Sequence, residues 1–337
     1  MTYEQIIKDI KAKKYAPIYF LEGQETYFID EVTKLIEKTV LDEAAKGFNE
    51  LVLYGKDTDS QAIINTARRY PMMSPYQVVI VKEAQQLREK SGVTNLLSYF
   101  ENPVKSTVLV INYKHKKLDK RTKFAKTFKK NGIVHLEAKK LYDNQVPAWI
   151  EKHLKSKKHG IEQNALYLLA EYLGTNISQI VNELDKMLLN LDKGAKITPE
   201  LIEKYIGINR EYNSFELQRA LAYKQSEKAF RIITYFNQNP KAAPLPLLMY
   251  SLYNFFSKLY IYHYYAQRTD FELQKILSLS SSFFVKEYRA AAKNYTIGKV
   301  RKNLGLLLKY DLKSKGVDQA DNTQGPLIVE LTYQLLN

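Results

Sequence analysis

Residues 16–29 read APIYFLEGQETYFI, and this stretch decides the fold. The apolar run from Ala16 to Leu21 has the length and the aromatic and β-branched content of a strand. It closes on Glu22 and Gly23 and passes into a helical pattern. Four further β-type runs follow, at Glu50 to Tyr54, Gln77 to Lys82, Thr107 to Asn112 and Ile133 to Leu136, with room for a helix in each gap. Strands alternating with helices predict a parallel sheet with crossover helices. In one gap, Asp57, Asp59 and Ser60 precede Ile63, Ile64 and Ala67 at helical spacing, with the helix running to about Arg69. A calcium loop built on Asp57 and Asp59 fails because Ala62 stands where such a loop needs glycine, so these residues are read as caps.

After Leu136 the strand signal stops. Helical patterns cover Val146 to Leu154 with Trp149, Leu166 to Leu173 and Ile177 to Leu191. Thr198 caps a further helix that starts on Pro199 and Glu200 and runs toward Tyr205. Gly207 and the polar run NREYN mark a boundary, and long amphipathic segments without alternation fill the remainder. The expected division is therefore 1–140 as an α/β domain, 141–210 as a small helical domain and 211–337 as an all-α domain.

With 337 residues, 45% of them hydrophobic, the chain is long enough for two or three cores. The absence of cysteine excludes thiol catalysis, zinc–thiolate sites, iron–sulfur clusters and disulfides. The net charge of +15 is concentrated in the two ends of the chain and suits a polyanionic partner, although solvated lysines give the same balance. No secretory signal is visible at the N-terminus. The most apolar segment, Leu245 to Tyr265, carries Ser251, Asn254, Lys258 and His263 and reads as a buried helix, so a cytoplasmic protein without a membrane partner is expected.

A parallel sheet directs attention to the turn after the first strand, where phosphate-binding loops sit. That turn, Gly23 to Ile29, has no second glycine, no lysine and no following Ser/Thr at the spacing that cradles phosphates, and G-x-x-x-x-G-K-[ST] and G-x-G-x-x-G are absent throughout. No H-E-x-x-H or G-x-S-x-G occurs, and the five histidines lack metal-ligand spacing. His153 and His159 read as solvated side chains at a lysine-rich helix end.

The residues resemble those of the delta-subunit family of bacterial clamp loaders. Pro17 to Glu25 look like that family's opening, in which a P-loop-like position has lost its glycine–lysine chemistry. Phe48-Asn49, Ala67 to Met73, Leu118 to Arg121 and Trp149-Ile150 follow the family's course in order. So do Leu173 to Asn176, Asn182 to Lys186 and Asp311 to Gly316, so the resemblance spans the chain.

The resemblance implies an AAA+-like α/β N-terminal domain without nucleotide binding, a small helical lid-like domain and an all-α C-terminal collar. It also implies a non-catalytic part of DNA polymerase III, with no cofactor and no metal, that binds the sliding clamp (the beta subunit), promotes its opening and supports its loading during replication. The implied partners are the clamp-loader ATPase subunits, the delta-prime subunit and primer-template DNA. The alternatives are a degenerate P-loop ATPase and a stand-alone DNA-binding protein.

In that family an apolar pair enters a pocket of the clamp, and Met72 and Met73 stand at the matching positions. The family more often has an aliphatic residue followed by phenylalanine, but methionine is flexible and polarizable and suits an adaptable pocket. Read without the family, two methionines ahead of a strand are ordinary core residues, whereas Pro71 and Pro75 on either side place them in a turn.

The run KHKKLDKRTKFAKTFKK from Lys114 to Lys130 has two readings. It is either a solvated helix face over Leu118, Phe124, Ala125 and Phe128, or a DNA-proximal basic surface that includes Lys116, Lys117, Lys120, Arg121 and Lys123. The aromatics of 250–265, Tyr250, Tyr253, Phe255, Phe256, Tyr260, Tyr262, Tyr264 and Tyr265, are read as collar packing in preference to stacking platforms for single-stranded DNA.

Overall fold

In the computed structural model, residues 1–88, 92–129, 132–209, 211–240, 243–279, 281–317 and 324–337 are described. The first strand, β1 (Ile18–Gly23), is buried along its whole length. The others are β2 (Glu50–Tyr54), β3 (Gln77–Lys82), β4 (Thr107–Lys114) and β5 (Ile133–Ala138), in the sheet order β2-β3-β4-β1-β5 with every pairing parallel. β2 and β3 fall where the apolar runs predicted. β4 and β5 extend two residues further and β1 is shifted by two, starting at Ile18 in place of Ala16, because the ladder carries Glu22 and Glu137 and ends only where Gly23 pairs with Lys114 and Ala138. A pattern reading stops at the first polar residue; main-chain hydrogen bonding does not.

Helices α1 (Tyr3–Lys11), α2 (Thr26–Thr39), α3 (Glu43–Asn49), α4 (Ser60–Ala67), α5 (Leu97–Glu101) and the short α6 (Lys123–Lys126) complete this part. Asp59 caps α4 by accepting the Ala62 N–H at 2.7 Å, as expected for a capping residue. The core gathers around Phe20, which is fully buried and lies 6.2, 5.7 and 4.8 Å from the rings of Phe100, Phe124 and Phe128. Truncating such a phenylalanine costs about 3–5 kcal/mol.

The chain forms two compact units, Met1–Leu141 and Tyr142–Asn337. The second contains α7 (Val146–Ser156), α8 (Gln163–Leu173), α9 (Ile177–Leu188), α10 (Pro199–Ile206), α11 (Ser214–Ala222), α12 (Ser226–Gln238), α13 (Leu245–Tyr265), α14 (Asp270–Ile276), α15 (Val285–Asn294), α16 (Ile297–Ser314) and α17 (Gln324–Leu336). It also holds a two-residue parallel pair, Gly160–Ile161 with Lys196–Ile197, too short to leave a sequence pattern. Thr198 caps α10 and Gly207 ends it at φ +79°, a conformation that favours glycine. Part of the NREYN run, residue 210, lies outside the described residues. Within this unit Tyr167 of α8 meets Phe284 edge to face at 4.9 Å, so α8 packs on the helices beyond it in the chain.

The aromatics of α13 divide between two faces, contrary to a reading of the whole stretch as core. Phe255, Phe256 and Tyr262 are buried with Leu248, Leu252 and Leu259, whereas Tyr250, Tyr253, Tyr264 and Tyr265 are exposed. His153 differs from the expected solvated side chain as well. It is half-buried and stacked on Trp149 at 5.1 Å, and burial lowers its pKa. Among the described residues no helix is long and apolar enough to cross a membrane, and no cluster of three metal-binding side chains occurs.

Candidate functional site

In a parallel sheet the loops that follow strands lie at one edge and those that precede them at the other. The turn after β1 and the basic segment after β4 share the C-terminal edge, where His115 N–H donates to the Gly23 carbonyl at 2.8 Å. The methionine loop, which precedes β3, lies at the N-terminal edge. Strands of this length separate the two edges by about 20 Å.

At the turn after β1 two main-chain donors, the N–H groups of Glu25 and Tyr27, are turned to the protein's own acceptors. Glu25 is the N-cap of α2, and its carboxylate accepts the Tyr27 N–H at 3.4 Å. The Glu25 N–H donates to the Ala138 carbonyl at 3.1 Å. Burial raises the Glu25 pKa. A negative side chain already occupies the position where a helix N-terminus would hold an anion. Gly23 serves packing here: its φ is +134°, and a Cβ would stand 2.1 Å from the Ala138 carbonyl oxygen. Its substitution therefore disrupts the pairing of β1 with β5, whatever binds at the turn.

Between α4 and β3 the chain leaves the core. Met72 is 61% exposed and Met73, at 105%, is entirely in solvent, so neither is a core residue. Tyr70 is exposed in the same loop, and Phe48 at the end of α3 is 70% exposed. The main chain beneath is held firmly. Gln77, buried at the start of β3, donates to the Ala67 and Arg69 carbonyls and to Thr107 Oγ1, which ties the end of α4 to the sheet. Asn49 is buried and hydrogen bonds the Met72 backbone twice. Met73 adopts φ +52°, the left-handed region that costs a residue with a side chain about 1 kcal/mol or more.

Lys116, Lys117, Lys120, Arg121 and Lys123 are all exposed, but the segment is no continuous basic helix. Only Lys123–Lys126 is α-helical, followed by a 3₁₀ turn at Thr127–Lys129, and residue 130 lies outside the described residues. Phe124 is buried, and Leu118 and Phe128 pack partly against the core, as the amphipathic reading expected. Three of the five cations are paired with carboxylates. Lys117 and Lys120 both reach Glu137, at 2.8 and 2.9 Å, and Arg121 bonds Asp119 at 2.7 Å. Hydrogen bonds from the two lysines hold the Glu137 carboxyl down at about 2. A second anchor is Glu22, buried at the end of β1, which accepts the Leu118 N–H at 2.6 Å and lies 2.8 Å from His135 Nε2.

The DNA polymerase III delta-subunit family model matches residues 19–138, which covers nearly all of the sheet. The DNA polymerase III subunit delta of Bacillus subtilis (strain 168) is 27% identical over 232 residues, 67% of each chain. The part of the chain that carries the sheet is thus similar to the DNA polymerase III delta-subunit family. The solved structure titled Bacillus subtilis DNA clamp loader delta protein (YqeN) superposes over 99% of both chains at 24% identity with a TM-score of 0.61. That likeness supports the α/β fold with a parallel sheet followed by helices.

Glu137 carried no signal of its own in the sequence, and Asn49 entered only in the Phe48-Asn49 pair of the family resemblance, with nothing to say what it bonds. Asn49 was one polar residue ahead of a strand, and Glu137 looked like the end of one. Glu22 was the one visible hint, an acid directly following an apolar run.

Proposed function

We propose that this chain is the clamp-binding subunit of its clamp loader, engaging the sliding clamp through Met72 and Met73 at the N-terminal edge of the sheet. One observation carries the reading: two adjacent apolar side chains stand in solvent on a main chain fixed from beneath. Exposed apolar groups on an ordered base are the composition of a docking anchor. Binding an opened clamp in preference to a closed one shifts the opening equilibrium only by the difference between the two affinities.

The chain itself turns over no ATP in this proposal. The lost lysine and the Glu25 cap at α2 both disfavour a phosphate there, so the energy comes from the partner ATPase subunits. The helices beyond about Tyr212 serve as the collar that joins those subunits and delta-prime, with residues 141–210 as the lid-like part. Primer-template DNA is contacted only in the assembled complex, since most of the named cations of the basic segment are engaged by carboxylates.

Mixing the purified chain with the sliding clamp of the same organism tests the proposal by size-exclusion chromatography. A stable complex is expected, retained by the unit Met1–Leu141 alone, while that fragment fails to enter the loader. Coelution of the full chain with DNA but not with the clamp would refute it.

A further inference from the structure

We infer that Asn49 is the positioning residue of the methionine loop: its side-chain amide fixes the Met72 backbone and thereby sets the direction in which Met72 and Met73 are presented. The inference rests on the reading of those methionines as the clamp-contacting pair.

Asn49 ends α3, and only 1% of it is exposed. Its Oδ1 accepts the Met72 N–H at 2.6 Å, and its Nδ2 donates to the Met72 carbonyl at 2.9 Å. The other Nδ2 hydrogen goes to the Ala45 carbonyl at 3.0 Å, within α3 itself. Both main-chain groups of Met72 are therefore satisfied by one side chain, in the manner of a neighbouring strand. The carboxamide in turn is braced by the helix that carries it.

This requirement is chemically narrow. A residue here must offer a donor and an acceptor from one planar group at asparagine's reach. Aspartate keeps the acceptor but sets a second oxygen against the Met72 carbonyl. Alanine and leucine offer neither.

The neighbouring residue shows why the loop needs this bracing. Met73 holds the left-handed φ of +52° with its side chain wholly in solvent, so no packing of that side chain maintains the conformation. The main chain on either side has to maintain it. Met72 is tied to Asn49 on one side, and Gln77 is tied into α4 and β4 on the other. A loop released at Met72 spreads over many directions and must be ordered again on each binding event, which lowers affinity even though every apolar group of the interface is still present.

The test uses the full-length chain and the purified sliding clamp, with binding followed by surface plasmon resonance. Asn49→Ala is expected to weaken binding about tenfold, as loss of preorganisation does, and Asn49→Asp is expected to weaken it comparably. In a Met72→Ala/Met73→Ala background Asn49→Ala should add nothing, because Asn49 acts only through those side chains. An equal loss in both backgrounds would show a general effect on the fold and overturn the inference, as would wild-type binding by Asn49→Ala. Hydrogen exchange of the Met72 amide in the unmutated chain decides independently of whether a variant folds: protection supports the positioning role, and rapid exchange overturns it. If Met72→Ala/Met73→Ala itself binds normally, the clamp-contact reading fails; if that variant is impaired while Asn49→Ala is not, only the positioning role fails.

Discussion

The methionine loop and the basic segment lie at opposite edges of one sheet, and both stand out in the sequence, but the structure treats their side chains differently. Tyr70, Met72 and Met73 project into solvent, while the polar groups beneath them are bonded. In the basic segment the charges are exposed but largely matched: Glu137 takes two lysines and Asp119 takes Arg121. Exposure alone does not make a surface available to a partner. What counts is interaction capacity left over after the protein's own bonds are made, and by that measure the methionines have more to offer than the lysines.

The largest test of this contrast is Met72→Ala/Met73→Ala. Each apolar side chain buried on binding contributes roughly 1.5–3 kcal/mol, so losing most of two lowers clamp affinity about tenfold to a thousandfold. The melting temperature should stay nearly unchanged. Methionines in a core would instead cost about 2–5 kcal/mol of folding free energy each. A variant that melts early yet binds the clamp normally in its folded fraction would reverse the assignment.

A smaller effect is expected at Phe48. It is as exposed as Met72 and immediately precedes Asn49, whose side chain bonds the Met72 backbone, and on that ground we propose it as a rim residue of the docking surface. Rim residues contribute less than central anchors, and Phe48→Ala should weaken clamp binding by about threefold to tenfold. Titration calorimetry showing no change would confine the docking surface to the loop.

The difference between the loops explains what was legible in the sequence. The central strands β1, β3 and β4 were visible because a buried parallel strand must be apolar on both faces. The partly exposed edge strands β2 and β5 were visible from their β-type residues, and all five runs became strands. The exposure of Met72 and Met73 was half-legible: the flanking prolines signalled a turn, but a methionine looks the same in a core. The pairing of Lys117 and Lys120 was not legible at all, because Glu137 lies on another strand and adjacency across a sheet leaves no local pattern. The role of Asn49 was hidden for the same reason, although the Phe48-Asn49 pair itself was noticed, since its partner is 23 residues away. The exposed tyrosines of α13 escaped because every face of that helix carries large apolar residues, and spacing alone cannot then separate the buried face from the open one.

Within the basic segment, the contrast predicts that lysines differ by their partners. Lys116 and Lys123 have no bonded carboxylate among the described residues, whereas Lys117 and Lys120 share one. If the segment approaches DNA in the assembled loader, Lys116→Ala/Lys123→Ala should weaken primer-template binding more than Lys117→Ala/Lys120→Ala. It should also reduce the salt slope by about one for each phosphate no longer neutralised. Fluorescence anisotropy across a salt series measures both quantities, and equal losses from the two pairs would show that the internal ion pairs do not restrain the lysines.

The smallest effect is expected from Glu137→Gln, which removes the charge but keeps the side chain's size. The Glu137 carboxyl is held at about 2, below its ordinary 4.5, by hydrogen bonds from Lys117 and Lys120. A carboxyl whose folded-state pKa is depressed contributes its stabilisation above the ordinary value and loses it as pH falls from there toward about 2. At neutral pH the wild-type link is therefore fully formed and insensitive to pH, and the glutamine variant reproduces the acid-released state without acid. Both lysines sit on the surface, so the cost in stability is small, with exposed pairs worth about 0–1 kcal/mol. The released charges should instead raise the assembled loader's affinity for primer-template DNA about twofold to threefold at low salt, and the gain should vanish as screening increases. Reduced affinity at low salt would mean that Glu137 holds the lysines toward the DNA, and the basic segment would then be, like the methionine loop, a surface prepared for its partner.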